Sequence, residues 1–161
     1  MSIDIIVCHS KKKNGFTLLE VLIAMVILAV GLLGIAALQT TSLKNNQSAY
    51  NRSQATLLAY DIADKMRTNV AGANNYLSSF MASTAATKQN DCLVISTTCT
   101  VADMAQNDLY DWNRAINSSL PNGTGTISLS GSIFTIVVRW DENRDGTNDS
   151  SDPSFQITFE L

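Results

Sequence analysis

Residues 21–38 form an eighteen-residue stretch without one charge, and a single carboxylate, Glu20, stands at its head. A carboxylate in hydrocarbon costs several kcal/mol, so a chain that keeps one there needs it there. Eighteen helical residues span about 27 Å at about 1.5 Å each, close to the thickness of a bilayer core. Lys11, Lys12 and Lys13 precede the stretch. A positive cluster stays on the cytoplasmic side, which would carry everything after Leu38 across the membrane. A secretory signal is cut after its apolar run, at a small-residue site. The residues Gln39-Thr40-Thr41-Ser42-Leu43-Lys44 offer no convincing site of that kind. Two readings stay open on these residues: a single-pass signal anchor, and a leader cut in front of the run, so that the run is retained.

Gly15-Phe16-Thr17-Leu18-Leu19-Glu20 resembles the prepilin peptidase site of type IV pilins and pseudopilins. The resemblance implies cleavage between Gly15 and Phe16 and N-methylation of Phe16. It also implies that the Glu20 carboxylate meets the free N-terminal amine of a neighbouring subunit during assembly. Opposite charges attract strongly in a low-dielectric layer, and either one alone is penalised there. Such a pair would set the register of helices otherwise free to slide. Two further stretches, 28–39 and 52–69, resemble the PilV family of minor pilins, and the likeness is strong over roughly residues 11–70.

The 161 residues suffice for one modest domain on a membrane helix. The whole chain carries 11 basic and 14 acidic residues. Without residues 1–15, which hold three Lys and Asp4, eight basic and thirteen acidic remain. That balance argues against a nonspecific nucleic-acid grip, which needs clustered Lys and Arg. Cys8 lies in the leader, while Cys92 and Cys99 remain with six residues between them. In an exported domain a disulfide between them is the default. Metal binding by the pair would need more ligands, and the only histidine is His9. No histidine follows the cleavage point, so a Ser-His or Cys-His catalytic pair is absent and the chain reads as no enzyme.

Residues 16–69 contain no proline and read as one long helix. Its first half is apolar all round; its second keeps a stripe at Ala55, Leu58, Ile62 and Met66. Asp61 and Lys65 make a supportive i,i+4 pair. Gly31 and Gly34 would permit close packing between helices. Asn69 and Gly72 are stop signals. Residues 71–100 read as loop, with a short helix expected over 76–81 and a strand over 93–95. A second helix is expected over 103–119, capped by Asp103, with Leu109, Trp112 and Ile116 on one face. Leu120-Pro121-Asn122-Gly123 ends it. Strands are expected over 126–130, 133–140 and 154–161, the last two by alternation. The expected architecture is α+β and type IV pilin-like, a long N-terminal helix packed on a small antiparallel sheet with a second helix. Four segments follow: a leader over 1–15, a transmembrane and assembly helix over 16–38, an amphipathic helix over 39–70 and an extracytoplasmic globular domain over 71–161.

In the loop 141–152, Asp141, Asn143 and Asp145 followed by Gly146 match the first half of a calcium loop. Thr147 holds the seventh position, Asp149 the ninth and Asp152 the twelfth, where the standard loop has a bidentate Glu. The same residues are turn formers, and a solvated hairpin loop is the competing reading.

The function this implies is that of a minor pilin, a non-enzymatic subunit that contributes to starting pilus assembly or to a tip complex, and so to motility or adhesion. No cofactor is expected beyond the calcium just weighed. Its partners would be other minor and major pilins, the prepilin peptidase and the inner-membrane assembly platform. It would sit in the inner membrane with a periplasmic domain before assembly and on the cell surface afterwards. Two alternatives share the evidence. A pseudopilin of the type II secretion machine would have the same junction and helix. A membrane-anchored extracytoplasmic binding module would never polymerise.

Overall fold

The computed structural model describes residues 15–81, 86–93 and 98–161. The leader residues 1–14, with Cys8, His9 and the Lys cluster, lie outside them. The first helix, α1 (Leu18–Thr68), is 51 residues long. A division into two compact units falls between Leu43 and Lys44.

In the N-terminal unit every described residue is exposed. Phe16 is 84% exposed and Leu33 72%, and a Cβ added at Gly31 or Gly34 would meet no other atom within 4 Å. Among the described residues this surface has no partner. It is long and apolar enough to cross a membrane.

The second unit, Lys44–Leu161, buries one face of the rest of α1. Asn51, Ala55, Ala59, Ile62, Ala63 and Met66 are buried there, and Leu58 is half-buried beside them. The small alanines let the helix approach closely, as the spacing of the stripe requires. Asp61 and Lys65 pair at 3.5 Å. A 3-10 helix, Val70–Tyr76, follows directly, with Gly72 inside it. It leads into β1 (Ser78–Met81). Most of the helix expected over 76–81 is therefore a strand, and the three-stranded C-terminal sheet expected becomes four-stranded. The local sequence there has no helical periodicity to resist pairing; β1 exists because β2 lies alongside it.

A second 3-10 helix, Asn90–Leu93, ends at the residue where a strand was expected to begin; residues 94–97 are outside the description. Cys92 and Cys99 are joined by a disulfide. The second α-helix, α2 (Val101–Ser119), starts two residues earlier than expected. Its N-cap is Thr100 and not Asp103. Asp103 returns the bond from the third helical position, so the two form a capping box. The Thr100 hydroxyl and backbone N–H hold the Asp103 carboxyl below its usual range.

The sheet runs β1, β2 (Thr124–Ser130), β3 (Ile133–Arg139) and β4 (Ser154–Phe159), all antiparallel and in chain order. Gly131 at φ 63° makes the two-residue turn between β2 and β3. Ile127, Phe134, Ile136 and Val138 face the core, with Phe155, Ile157 and Phe159 of the edge strand half-covered. Both helices contribute to one buried cluster with this face.

Trp112 of α2 joins the layers. It is 1% exposed, and its Nε1 donates to the Leu58 carbonyl of α1 at 2.8 Å. Its ring lies so close to β2 that a Cβ on Gly125 would fall 2.4 Å from Cη2. Trp112 is a rigid ring and cannot yield as a flexible side chain would. Gly125→Ala should therefore cost about 1–3 kcal/mol by overpacking. Thermal unfolding of the full chain in micelles checks this, and a melting point equal to wild type would refute the close contact.

The far end of α1 is fixed by polar groups. Asn69 Nδ2 donates to the Val101 carbonyl at 2.8 Å and to the Tyr76 hydroxyl at 3.3 Å. The Tyr76 hydroxyl donates to Asp108 Oδ2 at 2.5 Å. Burial first, and the Asp108 hydrogen bond second, push the Tyr76 hydroxyl well above its ordinary pKa.

Candidate functional site

The helix-start junction is built by Thr17. Its hydroxyl and its carbonyl both accept from the Glu20 N–H, at 3.3 and 3.1 Å. Thr17 thus caps α1 and fixes where the helix begins. The sequence signal was present as Thr17-x-x-Glu20, a capping-box spacing that the reading of 16–69 as one helix passed over. Glu20 is the acidic residue of the first turn, where the helix dipole favours a negative charge. Its side chain is exposed, and it shares one side of the helix with Phe16, Val21, Ala24, Met25 and Leu28. Gly15 and Phe16 precede the helix outside any regular element and are exposed, open to another protein. The site thus presents one carboxylate on an otherwise apolar helical surface that no other described residue covers.

The acidic loop, 141–152, is arranged differently from a preformed cation cage. Asp145 Oδ1 accepts from the Thr147 N–H and hydroxyl, at 2.8 and 2.6 Å, and Oδ2 accepts from Asn143 Nδ2. Asp149 Oδ1 accepts from the Ser151 N–H and hydroxyl. These bonds, the side-chain ones foremost, hold both carboxyls below their usual range. Asp152 takes the Glu142 N–H on one oxygen and the Asp149 N–H on the other. Position twelve is therefore a clasp across the loop's two ends. Asp141 is buried, and its Oδ2 accepts the Gly146 N–H at 2.9 Å, with Gly146 at φ 88°. Among the described residues no group of three or more His, Cys, Asp or Glu converges as metal ligands would.

Glu142 is a residue that pattern reading did not single out. Its Oε2 accepts from Trp140 Nε1 at 2.6 Å and from Asn51 Nδ2 of α1 at 3.1 Å. Burial raises its pKa, but the bonds from Asn51, Trp140 and Ser48, with the Lys44 charge, outweigh that and hold the carboxyl below its usual range. Lys44, Glu142, Asn143, Ser151, Asp152 and Pro153 line a pocket of about 370 Å³ beside this clasp.

An exposed apolar stretch long enough to cross a membrane, one carboxylate in its first turn and a small α+β domain on the rest of α1 fit the class of membrane-anchored subunits. Two family comparisons agree with that class. The prokaryotic N-terminal methylation motif matches residues 10–36, which include Gly15, Phe16 and Glu20. The family described as type IV pilin Tt1218 matches residues 37–110, from the apolar helix into α2. Over residues 10–110 the chain is thus similar to type IV pilins. No curated protein and no solved structure matches it. Pilins are structural and non-enzymatic proteins, and the methylation motif together with an N-terminal apolar helix supports membrane anchoring and pilus assembly.

Proposed function

We propose that the chain is a minor pilin of the PilV type, which helps to start pilus assembly or sits in a tip complex, and on which motility or adhesion depends. In this reading prepilin peptidase cuts between Gly15 and Phe16, and Phe16 is N-methylated. Lys11, Lys12 and Lys13 hold the leader in the cytoplasm, and the domain matures in the periplasm. The observation that carries the reading is Glu20, one carboxylate in the first turn of α1, at the head of the uncharged and exposed stretch 21–38. Placed in a membrane or a filament core, it calls for a positive partner, and the methylated amine of a neighbouring Phe16 is the one the motif supplies. The inner-membrane assembly platform and other minor and major pilins are the partners.

The experiment is co-purification from piliated cells with mass spectrometry of the mature N-terminus. The expected product starts at methylated Phe16. Glu20→Ala should still be cut and membrane-bound, yet recover other pilins at least tenfold less, since about 1.4 kcal/mol of lost pairing is already tenfold. Undiminished recovery with Glu20→Ala would refute the docking role. Recovery of secretion-system pseudopilins instead of pilus subunits would favour the secretion alternative.

A further inference from the structure

We propose that the loop 141–152 is a Ca²⁺ site anchored on the buried carboxylate of Asp141. Asp141 is 3% exposed, and its Oδ1 has no hydrogen-bond partner, although its Oδ2 is held by Gly146. A carboxyl oxygen taken out of water without a partner is costly, and an ion or an ordered water is the usual resolution. The Gly146 bond points this carboxylate into the loop, so the orphan oxygen faces the same interior.

A second acceptor is left open by the same loop. Asn148 Nδ2 donates to the Asn122 carbonyl, the Thr124 hydroxyl and the Arg139 carbonyl, at 2.8, 3.1 and 3.3 Å. Those partners fix the amide, because a flip would set its oxygen against two carbonyls. Asn148 Oδ1 is thereby a committed acceptor, and it is buried without a donor. The calcium pattern at positions one, three and five supplies the rest: Asn143 and Asp145 lie exposed on the loop, and to turn inward they exchange the bonds that now join them to each other and to Thr147. Asp152 stays in its clasp and is not a ligand.

The donor set selects the ion. Every candidate atom is a carboxylate or amide oxygen, which suits a hard cation and not zinc or copper. Mg²⁺ demands near-ideal octahedral geometry, whereas Ca²⁺ accepts six to eight oxygens in irregular arrangements and completes its shell with water. Asp145 must leave its Thr147 bonds to join, so the affinity belongs to the weak class of about 0.1–1 mM. This inference stands on the loop alone and does not depend on the pilin reading.

The test is calorimetry on the full chain in detergent micelles, freed of metal with a chelator and titrated with CaCl₂. Tb³⁺ luminescence sensitised by Trp140, which adjoins Asp141, gives a second readout. One calcium site is expected, with Mg²⁺ at least tenfold weaker and Tb³⁺ displaced by Ca²⁺. Asp141→Asn should weaken binding at least tenfold. Asp145→Ala, an exposed change that does not threaten folding, should also weaken it about tenfold, since ligand charge sets affinity in such loops. No calcium heat up to about 10 mM would overturn the proposal, as that exceeds the weakest class of extracellular sites. So would Asp145→Ala binding calcium as wild type does.

Discussion

Trp112→Ala should lower the melting temperature of the domain by about 10–20 °C, because truncating a buried Trp typically costs about 3–5 kcal/mol and each kcal/mol is worth several degrees in a domain of this size. Three losses add at this site. The ring fills the space between α2 and β2 that Gly125 leaves open. It belongs to the buried cluster that gathers Ala59 and Ile62 of α1 with Ile116 of α2 and Ile136 of β3. Its Nε1–H bond to the Leu58 carbonyl is a direct tie between the two helices. The surroundings cannot collapse into the gap, because β2 is held by β1 on one side and β3 on the other. Trp112→Phe separates the terms. It keeps most of the apolar volume and loses the hydrogen bond, so it should cost roughly 1–2 kcal/mol. Near-UV circular dichroism of the full chain in micelles, recorded against temperature, measures both. A Trp112→Ala protein that melts within a few degrees of wild type would show that the layers are not joined here.

The comparison of Trp112 with β1 shows what a sequence read by itself can carry. Leu109, Trp112 and Ile116 announce α2 by their spacing, and the alternation from Phe134 to Val138 announces β3. Each is a local period imposed by a buried face, and local periods are legible. The uncharged run and its Glu20 are legible for the same reason. What Trp112 touches is not. Gly125 looks like a turn residue until a ring lies over it, and β1 looks like part of a short helix until β2 pairs with it. Thr100 was passed over as the cap because Asp103, a good cap by composition, stands three residues later; the structure uses both. In the loop 141–152 the pattern of oxygens was visible, but its allocation was not. Asp152 has both oxygens committed to backbone N–H groups, while Asp141 has one committed and one left over. Spacing places residues in order and cannot say which lone pairs the backbone will take.

Glu142→Ala should cost about 2–4 kcal/mol, out of proportion to a half-exposed glutamate, whose replacement elsewhere on a surface is usually worth less than about 0.5 kcal/mol. The reason lies in its partners. Trp140 is 1% exposed and Asn51 2%, and the Nε1 of the first and the Nδ2 of the second both donate to Glu142 Oε2. Removing the acceptor leaves two buried donors bare, each at about 1–3 kcal/mol. It also unfastens the loop from α1, since Asn51 lies 91 residues earlier in the chain than Glu142. Gln47, which donates to Asn51 Oδ1, holds the amide in place and prevents it from turning to another partner. Glu142→Gln offers one carbonyl oxygen to the same two donors but no charge. Charge-assisted bonds are roughly twice as strong as neutral ones, so this variant should lose about 1 kcal/mol and keep the clasp. Unfolding is followed in the presence of a chelator, so that no cation at Asp141 contributes. Equal melting of Glu142→Ala and wild type would mean that water serves the two donors as well as the carboxylate does. Equal loss in both variants would mean that the charge, facing Lys44, matters and the acceptor does not. The expected order, wild type above Gln and Gln above Ala, is the signature of a carboxylate that ties the loop to the helix by accepting two buried bonds.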